Sequence, residues 1–202
     1  ERQLASLLAA GEWVIDTRAA SAFAAAHVPG TINIPFNRSF PTWAGSLVPY
    51  RRDLYLLVDS VTPESVERVV ESLLLIGLDG VRGYCGPEAL TLWRAEGHPL
   101  DRVEQLSVEQ LAARRSELVV VDVRGRVEWD AGHLPGAILI PLAELSERMD
   151  EVPVDRPVAV HCQGGGRSAI AVSLLRARGR TAIANLAGGY TAWAQAGRPI
   201  ER

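Results

Sequence analysis

In the second half of the chain, short apolar runs alternate with longer mixed segments. Leu118 to Val123, Ile138 to Ile140, Val158 to His161 and Ile183 to Leu186 are each brief and nearly free of charge. That is how strands buried on both faces read. Between the last two runs, Ile170, Leu174 and Leu175 recur at helical spacing, so a helix is expected from near Ser168 to Gly179. Strands alternating with helices predict an α/β fold, a parallel sheet flanked by helices on both faces.

The pattern occurs twice. Val14-Ile15-Asp16-Thr17-Arg18 and His27-Val28-Pro29-Gly30 return as Val120-Val121-Asp122-Val123-Arg124 and His133-Leu134-Pro135-Gly136 at an offset of 106. Trp93, Gly97 and Pro99 match Trp193, Gly197 and Pro199 at an offset of 100. Two domains are therefore expected, residues 1–100 and 101–202, each of ordinary size. The second has a lead-in, Val103 to Ser107, that the first lacks, so the first is expected to be missing its N-terminal strand. The chain begins at Glu1 and its only methionine is Met149; an upstream segment is expected.

Composition narrows the function classes. With 48% hydrophobic residues, a net charge of -3 and no lysine or arginine run, nucleic acid is not the expected partner. No apolar stretch reads as a membrane span and no cleavable signal opens the chain. Cys85 and Cys162 lie in unrelated contexts, which predicts no disulfide and a reducing, cytoplasmic setting. His27, His98, His133 and His161 lack paired ligand spacing, so neither metal nor cofactor is called for.

The chemistry concentrates at Cys162-Gln163-Gly164-Gly165-Gly166-Arg167-Ser168, where an apolar strand stops at a thiol and a helix follows. The strand delivers the thiol to the carboxyl end of the sheet, where open α/β proteins bind ligands. Three glycines permit backbone N–H groups to turn inward. The helix N-terminus and Arg167 favour thiolate over thiol. Cys162 reads as a nucleophile in an anion cradle built from Gln163 to Ser168.

With Asp122-Val123-Arg124, the His133-Leu134-Pro135-Gly136-Ala137 turn, the Cys162 loop and Leu186-Ala187-Gly188-Gly189 before Trp193, the chain resembles tandem rhodanese-like sulfurtransferases. Its wording is similar to the rhodanese pair at the C-terminal end of bacterial metallo-β-lactamase-fold hydrolases related to persulfide dioxygenases. The resemblance implies two tandem rhodanese-like domains. It also implies a cycle in which Cys162 takes a sulfane sulfur from a small donor, thiosulfate or a thiol persulfide such as glutathione persulfide, and passes it to a thiol or cyanide. An upstream metal-binding hydrolase domain would be a partner, with this pair as a persulfide carrier or docking module in the alternative reading.

Within that resemblance Asp122 and Arg124 are framework residues that brace loops, and His27 and His133 are structural. Arg167 would hold an anionic donor or close the loop by ion pairing. Gln163 stands where many thiosulfate-using relatives carry arginine, which favours a thiol persulfide. A cysteine phosphatase is the remote rival, but four residues separate Cys162 from Arg167, one fewer than the related phosphatases use. Matching Gly77 to Gly179 places Ser60 at the cysteine position of the first copy, with Thr62-Pro63-Glu64 over the glycines. That copy is expected to be inactive, and Cys85 to be a packing residue.

Overall fold

The computed structural model describes residues 2–202, with side chains from Leu4 onward. The chain divides into two units, Glu1–Arg102 and Val103–Arg202.

In the first unit, α1 (Arg2–Ala9), β1 (Trp13–Asp16), α2 (Ala20–Ala25), β2 (Ile32–Asn33), α3 (Phe40–Leu47), β3 (Leu54–Leu57), α4 (Pro63–Leu74), β4 (Val81–Cys85) and α5 (Glu88–Ala95) follow one another. All strand pairings are parallel, in the order β2-β1-β3-β4. β1 is buried along its whole length. β4 closes one edge of this sheet.

The second unit contains β5 (Glu104–Leu106), α6 (Val108–Ala113), β6 (Val119–Asp122), α7 (Arg126–Asp130), β7 (Ile138–Leu139), β8 (Val158–His161), α8 (Gly166–Ala177), β9 (Ile183–Leu186) and α9 (Gly189–Gln195). Two short 3-10 turns, Leu142–Glu144 and Met149–Glu151, lie between β7 and β8. The sheet is wholly parallel in the order β5-β9-β8-β6-β7. The lead-in Val103 to Ser107 thus becomes an added edge strand, for which the first unit has no counterpart among the described residues. Ser107 then caps α6: its hydroxyl accepts from the Gln110 N–H while the Gln110 side chain accepts from the Ser107 N–H.

Both faces of this sheet are covered. Val120, Ala159, Ala184 and Leu186 pack with Leu111 of α6 and Trp193 of α9 in one cluster. Successive strand side chains alternate faces, so Val121, Val158 and Val160 turn to the other side, where α8 packs on β8 and β9. α8 is buried nearly all round from Ser168 to Leu175, and begins two residues earlier than its apolar spacing predicts because Gly166 already has helical geometry.

The repeated motifs do matching structural jobs. Trp93 Nε1 donates to the Pro99 carbonyl at 3.0 Å and Trp193 Nε1 to the Pro199 carbonyl at 2.8 Å. His27 stacks on Phe23 with ring centres 3.9 Å apart, and His133 on Trp129 at 3.7 Å. Each histidine also exchanges backbone hydrogen bonds with the end of its own unit, His27 with Asp101 and His133 with Glu201. Both histidines are structural anchors.

Candidate active site

β8 lies between β9 and β6, and its four residues are all buried. The chain leaves this central strand at Cys162, which is only 2% exposed. Gly165 N–H donates to Cys162 Sγ at 3.2 Å, and Ser168 Oγ lies 3.5 Å from the same sulfur. Ser168 Oγ is also 3.1 Å from the Gly165 carbonyl. One hydroxyl proton cannot serve both acceptors, so negative charge on sulfur draws it from the carbonyl. The N-terminus of the 12-residue α8 opens beside the thiol and adds its partial positive charge.

The three glycines are not equivalent. Gly165, the residue preceding α8, has φ +97° and lies close to the Gly188 amide nitrogen. Gly164 and Gly166 have ordinary φ values, and a methyl group on either would meet nothing within 4 Å. Of the three, only Gly165 uses the left-handed backbone that glycine permits, and the other two leave open space at the mouth of the loop.

A second layer holds the loop from behind. Asp122, at the end of β6, and Arg124 are both essentially buried and pair through Nε and Nη2 at 2.7 to 3.0 Å. Arg124 also donates to the Gly132 carbonyl at 2.8 Å and to Gln163 Oε1 at 3.2 Å, and its guanidinium sits 4.1 Å from the centre of the Tyr190 ring. Gln163 Nε2 in turn donates to Thr191 Oγ1 at 3.0 Å. The first turn of α9 completes the clamp, with Tyr190 N–H on the Cys162 carbonyl at 2.8 Å and Thr191 N–H on the Gln163 carbonyl at 3.0 Å. A side chain at Gly189 would collide with both carbonyls. Thr191 was not legible as a site residue in sequence; the glycine pair before it marks only a tight turn.

Arg167 does not face the thiol as a lone cation. It forms a two-point ion pair with Glu128 of α7, both N···O distances being 2.6 Å. The pair holds the Glu128 carboxyl below its usual range, and raises Arg167, with a further contribution from the nearby Cys162 sulfur. These contacts tie the start of α8 to α7.

Next to Cys162, His161 is fully buried, with Nδ1 3.3 Å from the Cys162 carbonyl and Nε2 3.5 Å from Asp122 Oδ2. Burial pushes it down to about 4 despite the opposing pull of Asp122. It is therefore a neutral ring at physiological pH.

In the first unit, Leu57 stands opposite Asp16 as His161 stands opposite Asp122. Val58, not Ser60, therefore occupies the position of Cys162. The first copy has one more residue between strand and helix, and another between helix and Gly77, so counting back from Gly77 lands two residues late. Cys85 ends β4, with Sγ 3.7 Å from the Leu56 carbonyl. It lines a cleft of about 390 Å³ with Leu4, Tyr55, Arg82 and Trp93, a concavity remote in sequence from the nucleophile loop and without its cradle.

The family model for the rhodanese-like domain matches residues 107–196. A sulfurtransferase of Allochromatium vinosum is 35% identical over 101 residues, covering 50% of this chain and 94% of that protein. An HTH-type transcriptional regulator of Mycobacterium tuberculosis is 32% identical over 161 residues, covering 78% of this chain and 68% of the relative. Among solved structures, a rhodanese-related protein from Thermoplasma volcanium is 31% identical and aligns with a TM-score of 0.47, over 48% of this chain and 97% of that one.

Proposed function

The chain belongs to the rhodanese-like family, and on that premise we propose that it is a sulfurtransferase carrying sulfane sulfur as a persulfide on Cys162. The observation that carries this reading is the thiol at the carboxyl end of β8, accepting from the Gly165 N–H and facing the Ser168 hydroxyl at the start of α8.

In the loading step the Cys162 thiolate attacks the sulfane sulfur of the donor. A Cys–S–S bond forms and the donor's S–S bond breaks. Thiosulfate releases sulfite; a thiol persulfide releases its thiolate, which takes up the proton that the transferred sulfur carried. The bound persulfide is anionic at its outer sulfur, and donors fixed before the reaction stabilise such charge without reorganising. Gly165 N–H and the Ser168 hydroxyl already converge on the inner sulfur. The open space beside Gly164 and Gly166 leaves room for the outer one. In discharge, a thiolate or cyanide attacks the outer sulfur and the Cys162 thiolate leaves, giving a new persulfide or thiocyanate.

Asp122, Arg124 and Gln163 support the loop; Gln163 to Ser168 would hold donor and persulfide. Val58 offers the first unit no nucleophile, so that unit is read as a non-catalytic companion. The test is the intact mass of the protein and of Cys162→Ser after thiosulfate and, separately, glutathione persulfide. Gain of one sulfur atom that requires Cys162 and is lost on adding cyanide supports the cycle. No gain with either donor would sink it.

A further inference from the structure

Both guanidinium groups around the loop are already matched. Arg124 is held by Asp122 and Arg167 by Glu128. Gln163, beside the nucleophile, is neutral. A dianionic donor would therefore approach an anionic sulfur with no unpaired guanidinium among these contacts to receive it. The helix N-terminus and the N–H groups remain, but these partial charges suit a monoanion or a neutral group better than two full charges.

We infer that Glu128 sets the donor preference of the Cys162 site: by occupying Arg167 at two points, it withholds the loop's own cation from thiosulfate and favours sulfane sulfur carried on a thiol. This rests on the persulfide reading above and refines it. A carboxylate that takes both outer nitrogens of a guanidinium uses the same planar fork that would grip the sulfonate end of thiosulfate. With 24% and 35% of the two side chains exposed, the pair lies at the edge of the site, where an incoming anion would meet it.

Glu128 also lends itself to a clean substitution. Its Oε2 accepts from the Gly125 N–H at 3.3 Å as part of the α7 cap. Glutamine at this helix position can make the same cap, so Glu128→Gln removes charge with little change in local shape. Arg167 would then be released toward an anionic donor.

The experiment measures kcat and KM for thiosulfate and for glutathione persulfide in the unaltered protein, Glu128→Gln, Arg167→Ala and the double variant. Glu128→Gln should raise the ratio of kcat/KM for thiosulfate to that for the persulfide about threefold to fivefold. The gain should appear mainly in the KM for thiosulfate, and added salt should shrink it. Adding Arg167→Ala should cancel it. Glu128→Asp, which keeps the charge, should restore the original preference at least in part, and serves as the check should the glutamine variant fold poorly. A ratio unchanged in Glu128→Gln, or a gain that survives Arg167→Ala, would overturn the inference while leaving Cys162 loading intact. Failure of Cys162 to load with either donor in the unaltered protein would instead overturn the reading beneath it.

Discussion

Cys162 is surrounded by groups whose protonation is settled by burial and pairing, and His161 is the case with a measurable consequence. Its ring is buried next to Cys162, and burial pushes it down to about 4 from the ordinary value of 6.5. Between those values the unfolded chain binds a proton that the folded protein refuses, so stability rises with pH across that window. The contribution is fully present above about 6.5 and is lost as pH falls toward 4, amounting to roughly 3 kcal/mol. Urea unfolding of the protein and of His161→Asn, measured from pH 4 to pH 8, should give curves that diverge as pH rises through this range. A difference between the two that is constant with pH would show that the ring protonates freely in the folded state. His161 is thus a supporting residue whose neutrality keeps a second positive charge from competing with Arg124 for Asp122.

At the level of elements, the site is a strand end, a tight turn and a helix start, locked by the first turn of another helix. The strand and the turn were legible because their chemistry is contiguous: an apolar run, a thiol, glycines, a cation. The locking partners were not. Glu128 lies 39 residues from Arg167 and Thr191 lies 28 from Gln163; only the parallel crossovers bring them together. The glycines are alike in sequence but differ in backbone geometry. Because only Gly165 is left-handed, Gly165→Ala should destabilise the protein by about 1–2 kcal/mol. Gly164→Ala and Gly166→Ala should be neutral or stabilising by up to about 1 kcal/mol. Urea midpoints for the three variants decide the matter, and equal losses at all three positions would contradict the backbone geometry.

Across the whole chain, the two units share a sheet order around β1 and β6 and the same Asp–Arg, His and Trp–Pro anchors, yet only the second has a cysteine just after its central strand. The repeat was visible at residue level because these anchors stand at nearly constant offsets. The position of the lost thiol was not, since counting back from Gly77 assumes loops of equal length. Strand register assigns it to Val58, which is 2% exposed. Cysteine is close enough to valine in size for Val58→Cys to fit there. A thiol at that point still lacks a cradle: α4 begins with Pro63, which has no N–H, and Asp59 and Glu64 bring negative charge to the turn. Intact mass after exposure to glutathione persulfide, with Cys85→Ser in the background, should therefore show one sulfur per chain both with and without Val58→Cys. A stable second sulfur in the variant would mean that a strand-end thiol suffices and that the glycine loop is not what holds the persulfide.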